Sequence, residues 1–225
     1  MNTSPSDSPL HALPGDLPLF PLNGTLLLPR GTLPLNVFEP RYLAMVDAAL
    51  AGGRMIGIIQ PAADGTVGLS APDGTNLYRT GCAGRITGFQ ETEDGRYLIE
   101  LRGICRFDVA EELELRDGYR RVRPDFAPYR LDLSPAEDLP IERDRLLNGL
   151  KGYFEQQNIG ADWDSLVKTP DERLVTTLSM VCPFDPAEKQ VLLEAEDLAQ
   201  RCKLLIGFVE SALRADNDNG NTALN

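Results

Sequence analysis

The sequence predicts an α+β protein in which a strand-rich first half, carrying one short helix, gives way to a helical second half. Three observations carry that prediction. Between Met55 and about Phe126 the apolar residues fall in short alternating or β-rich runs separated by Gly, Asp and Asn. From about Pro135 onward the spacing turns helical. Ser134-Pro135-Ala136-Glu137, Thr169-Pro170-Asp171-Glu172 and Asp185-Pro186-Ala187-Glu188 each offer a capping residue, a proline at the first helical position and an acid at the third.

Taken in order, residues 1–15 are Ser/Pro-rich and expected to be disordered. Prolines at 18, 21 and 34 interrupt apolar runs, which favours short or edge strands over a central one. Asn23-Gly24 and Pro29-Arg30-Gly31 supply tight turns. A helix should begin near Glu39, because Pro40 suits a first turn whose N–H has no partner. It would bury Tyr42, Leu43, Met45, Val46, Ala49 and Leu50 and stop at Gly52-Gly53. Glu39 and Arg41 read as a helix-terminus acid and an ion pair rather than a catalytic couple.

Met55-Ile56-Gly57-Ile58-Ile59 and Tyr97-Leu98-Ile99-Glu100-Leu101 read as strands, the second entered through an Asp94-Gly95 turn that would bring Cys82 and Cys105 nearly opposite each other. Glycines 81, 84 and 103 suit a strongly bent strand where a β-carbon would clash. Asp125 to Pro140 is rich in Pro, Asp and Leu without a period and reads as a connector. The longest helix should run from about Ala195 to Leu213, with Leu198, Cys202, Leu205, Phe208, Val209 and Ala212 on one stripe. The expected organisation is a β subdomain over 16–127, a connector over 128–140, a helical subdomain over 141–214 and a disordered tail over 215–225.

Composition narrows the function. With 225 residues, 42% of them hydrophobic and 25% charged, the chain can bury a core. No apolar run approaches the ~20 residues needed to span a bilayer, and no basic segment followed by a hydrophobic one opens the chain, so a cytoplasmic protein is expected. The net charge of −12 is a poor match for a phosphate backbone. Residues 128–225 hold 10 basic and 18 acidic side chains, so most of that acidity lies in the second half. Cysteines 82, 105, 182 and 202 form no C-x-x-C pair and the sole histidine, His11, lies in the polar start, so neither zinc nor any other metal or cofactor is expected. All four thiols read as reduced and buried.

Leu17-Pro18-Leu19-Phe20-Pro21-Leu22, followed by Leu33-Pro34-Leu35-Asn36-Val37-Phe38-Glu39-Pro40-Arg41-Tyr42, closely resembles the opening of the Lon substrate-binding domain. Gly81-Cys82-Ala83-Gly84-Arg85-Ile86 and Asp94-Gly95-Arg96-Tyr97 through Arg106-Phe107 resemble that family's later strands, ending in Gly-x-x-Arg-Phe. The blocks come in the family's order over about residues 17 to 213. The resemblance implies a bent PUA-like β pseudo-barrel with a short helix, then a helical bundle, in a domain that feeds polypeptides to an ATPase and a protease. A Gly-x-x-x-x-Gly-Lys-Ser/Thr loop occurs nowhere in this sequence, and no protease domain follows, so the chain is expected to work without hydrolysing ATP or cutting.

Two catalytic look-alikes are weak. Ser165-Leu166-Val167-Lys168 has the Ser-x-x-Lys spacing without its Ser-Asp-Asn and Lys-Thr-Gly partners. Asp216-Asn217-Asp218-Asn219-Gly220 resembles a calcium loop with its glycine one place early and no closing Glu. No catalytic residue is therefore assigned, and an enzyme would need a small-molecule pocket invisible to sequence.

The leading expectation is a non-enzymatic module that binds unfolded or tagged polypeptides, or a protein partner such as a separate ATPase or protease, in a groove between the β half and the helices. Its candidate contacts are Leu19, Phe20, Leu26, Leu27, Leu28, Phe38 and Tyr42, for each of which core packing is the default. The alternative is a PUA-like RNA- or nucleotide-binding protein using Arg116, Arg120, Arg121 and Arg123, whose default is a solvated face paired with Glu111, Glu112 and Glu114.

Overall fold

The β half is organised around one unusually long strand. The computed structural model describes residues 12–62, 74–135 and 140–222, the last seven by backbone alone. Six strands, β1 (Leu17–Pro21), β2 (Thr32–Val37), β3 (Met55–Ile59), β4 (Thr80–Glu91), β5 (Tyr97–Arg116) and β6 (Tyr119–Asp125), lie in the order β2-β5-β4-β3-β1-β6. The 20-residue β5 pairs with β2 and β4 along its first part and with β6 from Asp108 onward. That second pairing closes the sheet on itself, giving the bent pseudo-barrel the family resemblance implied.

β1 corrects the reading of its prolines. It is paired on both sides, parallel to β3 (Leu19 with Gly57) and antiparallel to β6 (Leu17 with Val122). Pro18 precedes the β3 register and Pro21 ends the strand, so Leu19 and Phe20 keep their N–H groups between the two imino residues. Pro34 does lie on an edge strand, since β2 pairs only with β5.

Bending demands the glycines. A β-carbon on Gly103 would lie 2.0 Å from the Leu28 carbonyl oxygen, where the backbone of Arg30 and Gly31 bonds across to Gly103. At Gly81 it would lie 2.7 Å from both the Ile58 oxygen and the Phe107 ring. Inside the curve, Leu17, Leu19, Ile59, Ala83, Cys105, Phe107 and Val122 form the core. Each large side chain buried there contributes about 1.5–3 kcal/mol of transfer free energy.

Helix α1 (Pro40–Ala51) starts on Glu39 with Pro40 in its first turn, as its sequence indicates. Tyr42, Met45, Val46 and Ala49 are buried on its inner face, while Leu43 and Leu50 flank them half-buried. Glu39 accepts from the Arg41 guanidinium at 3.1 Å, so the pair is structural. The helix ends at Gly52, and the left-handed residue that follows is Arg54, whose N–H reaches back to the Ala49 oxygen.

The chain divides into two compact units, residues 1–136 and 137–225. The stretch read as a featureless connector therefore contributes an element to the first unit. Ala127–Leu133 is a 3-10 helix that buries none of its own residues fully. Charge pairing, which hydrophobic periodicity does not register, holds it to β5.

The second unit is helical: α2 (Arg143–Gln156), α3 (Trp163–Lys168), α4 (Asp171–Val181), α5 (Pro186–Glu194) and α6 (Leu198–Thr222). Asp185 and Glu188 form a complete capping box at α5, the signature as written. At α4 the signature is shifted: Pro170 takes the N-cap place, while the Thr169 hydroxyl donates to the Ser165 oxygen of α3. Ser134 follows the 3-10 helix, the last two residues of the first signature, 136 and 137, lie outside the described residues, and α2 begins only at Arg143.

α6 begins three residues later than its pattern suggests because the Asp197 carboxylate accepts from the Gln200 N–H and caps it there. Its backbone also continues past Leu213 to Thr222, through most of the tail expected to be disordered and through the calcium-loop look-alike. Extending a formed helix costs far less than nucleating one. Residues 1–11, with His11, and 223–225 lie outside the described residues. Leu146, Leu150, Tyr153 and Phe154 of α2 are buried, and the Phe184 ring lies 5.8 Å from Tyr153 and 5.7 Å from Phe208.

Candidate functional site

Beyond Arg85, β4 leaves β3 and continues only with β5, which itself continues with β2. The result is a three-stranded arm made of β2, the start of β5 and the end of β4. Its two outer edges differ. β2 carries Pro34, which removes a donor and blunts the edge, whereas β4 from Gly88 to Glu91 has no proline and pairs, among the described residues, only inward. A register irregularity between Ile86 and Gly88 bends β4 here, and the Thr87 hydroxyl donates to the Glu100 oxygen.

The arm carries exposed apolar side chains on both faces. Phe89 stacks edge-on against Tyr97 with ring centroids 5.0 Å apart. Burial and a hydrogen bond to Asp47 of α1 push the Tyr97 phenol above its ordinary pKa. On the opposite face Leu98 stands between Asn36 and Gln90. Phe38, two residues beyond Asn36, is 63% exposed, Phe89 42% and Leu98 41%. Exposed apolar side chains therefore stand on both faces of the arm, Leu98 on one and Phe89 on the other, with Phe38 just past the end of β2, surface of the kind that marks an interaction site.

Of the seven candidate contacts only Phe38 belongs to this surface. Leu19, Phe20, Leu26, Leu27, Leu28 and Tyr42 are buried, with Phe20 against Tyr42 at 4.3 Å between centroids. These six are core residues: the turns that follow β1 fold Leu26 to Leu28 inward, and Leu27 presses on the Gly84 position. The residues that reasoning missed are Phe89 and Leu98. For Leu98 the signal lay in Tyr97-Leu98-Ile99, because three successive apolar residues in a strand put at least one on each of its two faces.

A second cluster ties the 3-10 helix to β5. Arg106 donates its backbone N–H and its Nε to Asp132 Oδ2, both at 2.9 Å, and its Nη2 to Oδ1 at 2.9 Å. Burial lowers the Arg106 pKa, but the Asp132 hydrogen bonds and charge outweigh it and the net direction is upward. The guanidinium also lies 4.7 Å over the Tyr129 ring, whose hydroxyl donates to Asp108.

Cys82 and Cys105 share this setting, and all four thiols are buried. Cys82 lies opposite Arg106 and Cys105 opposite Ala83, so the two cysteines face different sides of the sheet rather than each other. Burial, then the Asp132 charge, push Cys82 well up and Cys105 up to about 12. Burial also raises Cys182 to about 12 and raises Cys202. A thiol so protonated is no nucleophile at neutral pH.

The basic cluster is engaged. Arg120 makes a bidentate pair with Glu112 at 2.6 and 2.8 Å, Arg123 pairs with Glu111, and Arg121 with Asp16 and the Glu114 carbonyl. Ser165 donates its hydroxyl to Asp162 at 2.6 Å, a capping contact at the start of α3. Among the described residues, no three His, Cys, Asp or Glu side chains are placed to hold a metal, and no helix is long and apolar enough to cross a membrane.

The fold thus defines a class: an α+β module made of a bent PUA-like barrel and, after it in sequence, a helical bundle. Residues 16–211 match the family model of the ATP-dependent protease La (LON) substrate-binding domain, and the chain belongs to that family. It is 25% identical to the Lon protease of Syntrophus aciditrophicus over 232 residues, which take in 94% of this chain and 27% of that protein. Lon protease 2 of Myxococcus xanthus is 26% identical, over 86% of this chain and 23% of that one. The chain therefore spans about a quarter of the length of these curated relatives.

Two solved structures share the fold. The Lon N-terminal domain protein from Xanthomonas campestris superposes with a TM-score of 0.59 at 24% identity, covering 85% of this chain and 97% of that one. The N-terminal domain of Mycobacterium avium complex Lon protease gives 0.61 at 18% identity, covering 87% and 98%.

Proposed function

We propose that this protein is a non-enzymatic binding module that holds exposed apolar segments of unfolded polypeptides on the arm formed by β2, β4 and β5. The observation that carries this reading is the exposure of Phe89 and Leu98 on the two faces beside the edge of β4 that has no partner among the described residues, with Phe38 exposed past the end of β2 on the other side of the arm. An extended segment laid along Gly88 to Glu91 would gain backbone hydrogen bonds, with its apolar side chains against Phe89 on one face and toward Leu98 on the other. Membership of a substrate-binding family supports a polypeptide as ligand. A separate ATPase or protease would then act on what is held, and four free, unbridged thiols accord with a reducing, cytoplasmic setting.

The test is binding of a permanently unfolded, apolar model polypeptide at low and high salt, with wild type and with Phe89→Ser/Leu98→Ser. Salt-tolerant binding lost in the variant is expected; equal binding by both proteins would remove the arm from the mechanism. The RNA reading gains nothing from the geometry, since Arg120, Arg121 and Arg123 each already hold a carboxylate. Steeply salt-dependent binding of single-stranded RNA, lost on changing Arg120 and Arg121, would revive it.

A further inference from the structure

The free stretch of β4 is complementary to a second copy of itself. Thr92 donates its N–H to the Arg96 oxygen where the β4–β5 hairpin turns, and counting back along the register makes Gln90 with Leu98 and Gly88 with Glu100 the hydrogen-bonded pairs. The backbone N–H and C=O groups of Phe89 and Glu91 therefore point away from β5, onto the edge. The edge stops at Ile86, whose N–H is taken by the Arg54 oxygen just before β3. From Gly88 to Glu91 neither a proline nor a lysine guards it against strand addition.

Charges of opposite sign stand at its two ends. Arg54 and Arg85 lie at the β3 end, where Arg85 donates to the Gly53 oxygen, and Glu91 and Glu93 lie at the hairpin end. All four side chains are exposed, and none makes an ion pair among the described residues. A strand laid antiparallel to β4 satisfies both ends only if its own charges run in the reverse order, and β4 read backwards has that order. A parallel copy would set like charges together.

We propose that two copies of this protein pair through β4, antiparallel, about a twofold axis at Gln90. In that register Phe89 of one protomer exchanges both backbone hydrogen bonds with Glu91 of the other, and Gln90 faces its own counterpart in the non-hydrogen-bonded pair between them. Glu93 and the hairpin turn of each protomer then come beside Arg54 and Arg85 of the other. Centring the axis on Glu91 would oppose two carboxylates, and centring it on Phe89 would set Glu91 against Thr87, where the irregularity after Ile86 distorts the ladder. The pairing stands on the geometry and charge of the edge. Its consequence rests on the polypeptide-binding reading: copy and client compete for the same backbone groups, so the client-free protein covers its own site.

Sedimentation velocity of the full chain, from micromolar to submillimolar concentration, should show a monomer–dimer equilibrium. Arg54→Glu and Glu93→Arg should each weaken it by about fivefold or more, and the two together should restore it, since the reversed charges meet again across the twofold. Gln90→Cys should cross-link under mild oxidation with diamide, because the native thiols are buried and Cα atoms of a non-hydrogen-bonded pair lie about 4.5 Å apart. Thr87→Cys, on the same edge but ~20 Å from its own counterpart, should not. A chain that stays monomeric, equal cross-linking at both positions, or a double reversal no tighter than the singles would each overturn the pairing. The unfolded polypeptide then reads the competition: reduced Gln90→Cys should bind it and the disulfide-locked dimer should not, and equal binding by both would overturn the exclusion. Should the protein be monomeric and still bind the polypeptide through Phe89 and Leu98, the pairing is refuted and the arm stands. A dimer formed in this register with the polypeptide bound by neither form would keep the pairing and sink the polypeptide-binding reading.

Discussion

Replacing Asp132 by Ala should destabilise the β unit by about 3 kcal/mol or more, because it strips the carboxylate from a guanidinium that is almost fully buried. The Arg106 and Asp132 side chains are 7% and 9% exposed, and the carboxylate accepts three hydrogen bonds at 2.9 Å. Bonds of this kind to a charged group are worth about 1.5–3 kcal/mol each when measured singly, and they are not additive. Asp132→Asn, which keeps an acceptor, should cost less. Arg106→Met/Asp132→Leu, which removes both charges, should recover most of the loss.

The assay is urea unfolding followed by tyrosine near-ultraviolet circular dichroism, to which Tyr129 contributes from its place against Arg106. Trp163, the sole tryptophan, lies in α3 and its fluorescence reports separately on the helical unit as an internal control. A loss below about 1 kcal/mol, or a double variant as unstable as Asp132→Ala, would refute the account of the pair as the fastening of the 3-10 helix.

Three further outcomes are expected. Gly103→Ala should cost more than about 3 kcal/mol or abolish folding of the β unit, since its β-carbon would meet backbone rather than a side chain that can yield; a thermal midpoint within two or three degrees of wild type would contradict this. Asp185→Ala should cost about 1 kcal/mol through loss of the capping box, read by Trp163 fluorescence in urea, and Asp185→Asn much less. Stability should be independent of the thiols below about pH 9 and fall between there and pH 12, because Cys105 and Cys182 keep their protons in the folded state up to about 12 while unfolded thiols release theirs near the ordinary value of 9.0. A urea midpoint that stays flat to pH 11 would show that these thiols are not shielded.

What could be read beforehand follows from what leaves a local trace. The Asp185 box and the Pro40 start are short-range and were legible because each satisfies its own backbone within a few residues, and the bend glycines were legible because the residue type itself marks a place without room for a β-carbon. The place of β1 was not legible. Pro18 and Pro21 say only that two N–H groups are missing, and whether a strand is an edge depends on Val122 and Gly57, far away in the chain. Leu26, Leu27 and Leu28 illustrate the same limit for the site. Three consecutive leucines after a turn are compatible with a sticky surface or with a core, and the closure of the barrel over them decides for the core. Asp132 was hidden in a segment without periodicity, since its partner Arg106 lies on β5 and an ion pair has no pattern in sequence.

The pairing of Leu17 with Val122 also sets a timetable for biosynthesis. The first strand is made about a hundred residues before the strand that seats it, and at the usual 5–20 residues per second the nascent chain waits roughly 5–20 s with Leu17, Leu19 and Phe20 unsealed. During that interval the growing segment is itself an exposed apolar polypeptide. Until β6 emerges from the ribosome, the nascent β unit presents the same kind of segment that the proposed function would bind.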